Sequence, residues 1–184
     1  SRLDVLSPEL RVVLRAASVF GPQCWTQGVS ALLERDCEQD LRALADAEFL
    51  VRLDNSSIAE QEEWNFPNTM LRETAYTSLV PEDRSALHRI ASEWLLVAGQ
   101  EDTGAIARHA EAGGDTARAA VLYARAAVQA YANGQLVAGL DFADKAVGLT
   151  ETPAIRGPAL LQRAQILAWL SRYQEQYESA EAVS

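Results

Sequence analysis

Small residues recur from Asp115 to Leu149 at the spacing of one helix face, and this limits the fold more than anything else in the chain. Ala117, Ala119, Ala120, Ala124, Ala126, Ala127 and Ala130 crowd one predicted helix, which Asp115 caps and the Asn133-Gly134 turn ends. Gln135 to Leu149 reads as the return helix, with Gly139, Ala143 and Ala146 spaced to meet it. The interaxial distance of packed helices depends on the side chains at the contact, so these two axes can approach closely. The segment therefore reads as a stacked antiparallel hairpin. Thr152-Pro153 opens a further helix to about Leu170, and Ser171-Arg172 is expected to turn the chain into a last helix. The apolar residues of that helix, Tyr173, Tyr177, Ala180 and Val183, have no following unit to cover them. The expectation is that Ser184 is not the natural end of the protein.

Upstream, Ser7 and Pro8 open a helix whose Leu10, Val13, Leu14 and Ala17 share a face, and Gly21-Pro22 closes it. Short helices follow over about Thr26–Leu33 and Cys37–Ala47. The pattern then changes: Phe49–Leu53 and Glu63–Phe66 are short apolar runs flanking loop-forming Asp54-Asn55-Ser56-Ser57, a candidate β-hairpin. Three helices and a hairpin are the order of a winged helix. After Pro67 the reading is helical throughout. Met70, Leu71, Thr74, Ala75 and Leu79 form one stripe, and Leu87, Ile90, Ala91, Trp94 and Leu95 form another on a helix begun at Pro81. A helix over Ala105–Ala112 ends at Gly113-Gly114.

Chemistry-bearing patterns are missing. There is no G-x-x-x-x-G-K-[ST] loop, no G-x-G-x-x-G and no H-R-D or D-F-G, so neither a phosphate cradle nor a kinase core is expected. His88 and His109 lie on different predicted helices with no partner at metal-ligand spacing, and both read as structural. Cys24 and Cys37 form no CxxC pair, and reduced thiols are expected. No apolar run reaches the length of a membrane span, and the start lacks the features of a signal peptide, so the expectation is a cytoplasmic segment of a larger protein. No catalytic residue, cofactor or metal is assigned.

Helix–turn–helix units of about 34 residues are the signature of tetratricopeptide repeats. The chain resembles that family at Tyr123, Ala126, Ala127, Ala130, Gly134, Gly139, Ala143 and Ala146, and more loosely at Leu160, Arg163, Ala164 and Leu167 followed by Arg172-Tyr173-Gln174-Glu175. The front of the chain carries a second resemblance. Leu6-Ser-Pro-Glu-Leu-Arg, Ala16-Ala-Ser-Val-Phe-Gly21, Phe66-Pro-Asn-Thr-Met-Leu-Arg-Glu-Thr-Ala-Tyr-Thr-Ser-Leu79, Arg84 and Leu87-His88 follow in order. This is similar to the region after the P-loop core in bacterial signal-transducing ATPases of the STAND class, often fused to a serine/threonine protein kinase or a class III nucleotide cyclase. Their F-x-H-x-L-x-R-x-x-A-Y wording is matched at Phe66, Arg72, Ala75 and Tyr76, with Leu71 one place past the leucine position, whereas Asn68 stands where histidine is usual. The resemblances imply a mainly α fold: a winged-helix domain over residues 1–80, then tetratricopeptide-like antiparallel hairpins, an α-solenoid, over 81–184. They imply a regulatory segment that couples to the ATPase core and binds a protein partner or output domain.

A DNA-binding regulator is the alternative, and charge opposes it. The chain carries a net −10, and residues 1–66 hold twelve acidic side chains against six arginines. Nucleic-acid affinity rests on Lys and Arg displacing counterions, so nucleic acid is not an expected partner, and without a span-length apolar run neither is a membrane. The candidate protein-binding residues are Val121, Ala124, Val128 and Tyr131, which face the inner side of the repeat if Tyr123 is buried between its helices. Leu161, Gln165 and Ala168 continue that face in the looser unit. None of these is cationic, so an apolar groove for a helix or another domain is expected, and not a clamp for a peptide carboxylate.

Overall fold

Helices begin where the sequence supplies caps. The structure, a computed structural model, describes residues 2–181. In α1 (Pro8–Val19) the Ser7 hydroxyl accepts from the Leu10 N–H at 3.2 Å, and Pro8 holds the first position, where its missing N–H costs nothing. Then come β1 (Gln23–Trp25), α2 (Thr26–Leu33), α3 (Glu38–Asp46), β2 (Val51–Arg52) and β3 (Glu63–Asn65). Asn68 caps α4 (Thr69–Thr77), its side-chain oxygen accepting from Met70 N–H at 2.8 Å, and Pro81 opens α5 (Pro81–Val97). Asn68 thus serves the helix that follows it.

The expected hairpin is a three-stranded sheet in the order β1-β3-β2, with β3 antiparallel to both neighbours. Cys24 and Arg52 both lie opposite Trp64. Strand β1 exists because β3 offers it an edge, a long-range pairing that three residues of local sequence do not announce. Val13, Leu14, Leu41, Leu44, Leu50 and Trp64 fill the core, none of them more than 1% exposed. Trp94 stacks near Trp25 with ring centroids 5.8 Å apart, and Phe20 meets both edge-on. On α4 the buried positions are Leu71 and Ala75; Met70 is 75% exposed, so it is not part of the apolar stripe read from sequence.

One carboxylate is buried among donors. Glu63 is 2% exposed, and its Oε2 accepts from Trp25 Nε1 at 3.1 Å, Ser56 Oγ at 3.2 Å, Ser57 N at 2.5 Å and Ser57 Oγ at 2.8 Å. It ties the loop before β3 to the end of β1. Beside it, Trp64 Nε1 donates to Thr26 Oγ1 at 2.8 Å, and that hydroxyl donates to Glu62 at 3.1 Å.

The chain divides into two compact units, residues 1–101 with 112–114, and residues 102–111 with 115–184. The sequence-derived boundary after residue 80 falls inside the first of these, because α5 packs on α1 and α2. Residues 1–101 hold 17 acidic and nine basic side chains; residues 102–184 hold nine and seven. The acidity of the chain therefore resides mainly in the first unit.

The second unit contains α6 (Thr103–Ala112), α7 (Thr116–Ala132), α8 (Leu136–Leu149) and α9 (Pro153–Glu181). Asp115 caps α7, its carboxylate accepting from Arg118 N–H at 3.0 Å. Gly134, at φ 73°, takes the left-handed conformation that turns α7 into α8. The close approach expected of the alanine-rich helices is present: a Cβ on Gly139 would lie 3.4 Å from the Ala127 carbonyl and 3.5 Å from Ala130 Cβ. The turn expected at Ser171-Arg172 is absent, and α9 continues through it. Neither residue breaks a helix, and no glycine or proline follows to do so. Tyr173 is 58% exposed, while Tyr177, Ala180 and Val183 lie outside the described side chains. Among the described residues no helix is long and apolar enough to cross a membrane.

Candidate functional site

Tyr123 anchors the second unit and decides which face of α7 turns outward. Its ring is fully buried and stacks on Phe142 at 5.9 Å. Its hydroxyl donates to Glu111 at 2.6 Å, while Lys145, the only lysine of the chain, donates to the same carboxylate at 2.9 Å and to the phenol oxygen at 3.3 Å. Burial, reinforced by Glu111, pushes the phenol up to about 12, so it stays a donor. The phenol and then the ammonium hold the Glu111 carboxyl below its ordinary range, and Glu111 raises Lys145 in return. With Tyr123 fixed inward, Ala126, Ala127 and Ala130 are buried too, and on the opposite face of α7 Arg125 and Val128 are exposed while Val121 and Ala124 are half-buried.

That outer face meets α9 in a groove of about 370 Å³, lined by Val121, Ala124, Arg125 and Val128 on α7 and by Ala154, Ile155 and Pro158 on α9. Three of the four residues picked from sequence thus come together. The fourth, Tyr131, lies further along α7, where its hydroxyl accepts from Trp169 Nε1 at 2.6 Å. Val128 is 53% exposed and Trp169 43%. Leu161, Gln165 and Ala168 are all exposed along α9, Leu161 by 63%.

Arg125 corrects the expectation that this face of α7 holds no cation. It stands four residues after Val121, a spacing that returns a helix to the same face. Gln162 is a second polar residue that the sequence reading passed over. It is 8% exposed, on the α9 stripe with buried Ala159 and Ile166, and its Nε2 has no hydrogen-bond partner among the described residues.

The remaining candidates are packed into the fold. His88 Nε2 sits 2.7 Å from Tyr76 Oη, and burial with the nearby Arg84 charge lowers its pKa to about 4, so the ring is neutral near pH 7. Cys24 and Cys37 are free thiols, both raised by burial above their ordinary range. Among the described residues no group of three or more His, Cys, Asp or Glu could hold a metal ion.

No family model and no solved structure matches the chain. It is similar to Uncharacterized protein R02095 of Rhizobium meliloti (strain 1021), with 29% identity over 157 residues. The match takes in 81% of this chain and 15% of that protein, so the chain spans a small part of the relative's length.

Proposed function

We propose that the chain is a non-catalytic regulatory and protein-interaction segment of a larger bacterial signal-transducing ATPase. Its first unit is a winged helix that couples to the ATPase core, and its second a tetratricopeptide-like array that binds a protein, foremost another domain of its own parent chain. The observation that carries this reading is the solvent-open apolar groove between α7 and α9, with Val128 exposed along it. Large apolar side chains clustered in an open groove mark interaction surfaces more often than scattered ones do. The order α1–β1–α2–α3–β2–β3 supports the winged helix, and the close-packed α7–α8 pair supports the repeat. The much greater length of the similar protein supports a segment within a larger chain.

Charge weighs against a nucleic-acid partner. A cavity of about 520 Å³ beside α2 and α3 is lined by Asp36, Glu38, Glu60 and Glu62 with Arg42 as its one cation. Such a face repels a phosphate backbone.

The test is a binding titration of this segment against the separately expressed remaining domains of its parent protein. Val128→Asp combined with Tyr131→Ala is expected to weaken binding at least about tenfold, as burying a charge in an apolar contact requires. Full affinity with an intact helical spectrum would remove the groove from the interface. A gel shift with duplex DNA at low salt is expected to show none.

A further inference from the structure

The groove between α7 and α9 constrains its occupant beyond being apolar. Its walls are the sides of helices, whose N–H and C=O groups are engaged within those helices. An extended peptide laid there would bury its own backbone groups without partners. A helix arrives with those groups already satisfied. The one local departure is at Pro158, which has no N–H to offer the Ala154 carbonyl. A single acceptor does not serve a strand.

Arg125 fixes the polar part. Elsewhere in the same unit Arg108 pairs with Asp102 at 3.5 Å and Lys145 with Glu111 at 2.9 Å, while Arg156 pairs with Glu151 and Arg163 with Asp144. Arg125 lines the groove and has no carboxylate partner among the described residues. A carboxylate delivered with an apolar surface is desolvated along with the guanidinium, and their attraction then exceeds that of an open surface pair. Arg125 sits between Val121 and Val128 on α7, so the matching carboxylate stands beside the occupant's apolar stripe, three or four residues from an apolar position. From Val121 to Val128 the α7 wall runs about 10 Å, roughly two turns of an occupying helix.

We infer that this groove takes an amphipathic helix carrying a Glu or Asp beside its apolar stripe, the carboxylate meeting Arg125. The inference rests on the protein-binding reading of the groove, and its test separates the two. The whole chain is titrated with three labelled helical peptides of about 18 residues that share one Leu/Ile stripe and differ at a single flanking position, Glu, Gln or Lys. The Glu peptide is expected to bind about five-fold tighter than the Gln peptide, and the Lys peptide more weakly than either. Arg125→Gln brings the Glu-to-Gln ratio to about one, and Arg125→Glu makes the Lys peptide the best of the three. Equal affinity for Glu and Gln peptides, both lost on Val128→Asp, overturns the carboxylate inference and leaves the apolar groove standing. No binding by any peptide overturns both. Self-association of the chain that Val128→Asp abolishes assigns the groove to a second copy and also overturns the inference.

Discussion

Replacing Gln162 by leucine is expected to stabilise the protein. The side chain is 8% exposed, between Ala159 and Ile166 on the buried stripe of α9, and its Nε2 is enclosed without a partner among the described residues. Leaving such a group unsatisfied costs about 1–3 kcal/mol, which leucine removes. Leucine also has a branched shape that the site was not formed around, a mismatch of up to about 1.5 kcal/mol. The balance favours the variant by about 1 kcal/mol, which raises Tm by about 4–8 °C in a unit of this size. Calorimetry of the whole chain reads the shift, and urea titration supplies the free energy. Gln162→Glu is the counterpart: it places a carboxylate in the same enclosure and is expected to cost more than about 2 kcal/mol. A Gln162→Leu protein less stable than wild type by 1 kcal/mol or more would show that the amide makes a bond worth keeping. Tolerance of Gln162→Glu would show that water reaches the site; either result refutes the reasoning.

The neutral state of His88 predicts a pH dependence. Its pKa is near 6.5 when unfolded and about 4 when folded, so its contribution is complete above pH 6.5 and is lost as pH falls toward 4. The loss is at most about 3 kcal/mol, and less as far as solvent reaches the ring; the gap between wild type and His88→Gln in urea midpoint should therefore change between pH 7 and 4.5, and an unchanged gap would contradict it. Glu63→Gln turns an amide among four donors and should cost about 1–3 kcal/mol, read from Trp25 and Trp64 fluorescence during unfolding. Gly113→Ala would bring a Cβ to 2.8 Å from the Arg89 nitrogen and 2.9 Å from its Cα, atoms of helix backbone that do not yield, and should lower Tm by several degrees, whereas a neutral outcome would mean that α5 shifts freely.

What could be read from sequence was whatever local chemistry fixes. Ser7-Pro8, Pro81 and Asp115 carry their helix starts in their own side chains, and each start lies where those residues place it. Strand β1 was not legible, since Gln23-Cys24-Trp25 has neither length nor alternation and its partner lies some forty residues away. Met70 sits at a stripe position by count, yet α4 turns only Leu71 and Ala75 inward. In the groove, Val121, Ala124 and Val128 were found by their apolar character, and Arg125 was missed because that same filter discards a charge, although its spacing from Val121 announced it. Gln162 could not be singled out from sequence: a glutamine on a helix reads as solvated until the neighbours that enclose it are placed.

The unbroken run of α9 gives the groove a long arm. From Pro158, on the groove wall, to Glu181 the helix extends about 35 Å with no hinge residue in between. A tilt of about 5° where an occupant seats would sweep the far end through about 3 Å, more than the 1–2 Å helix shifts that suffice at switching interfaces. On the proposed reading, the seat of the occupant is also a fulcrum.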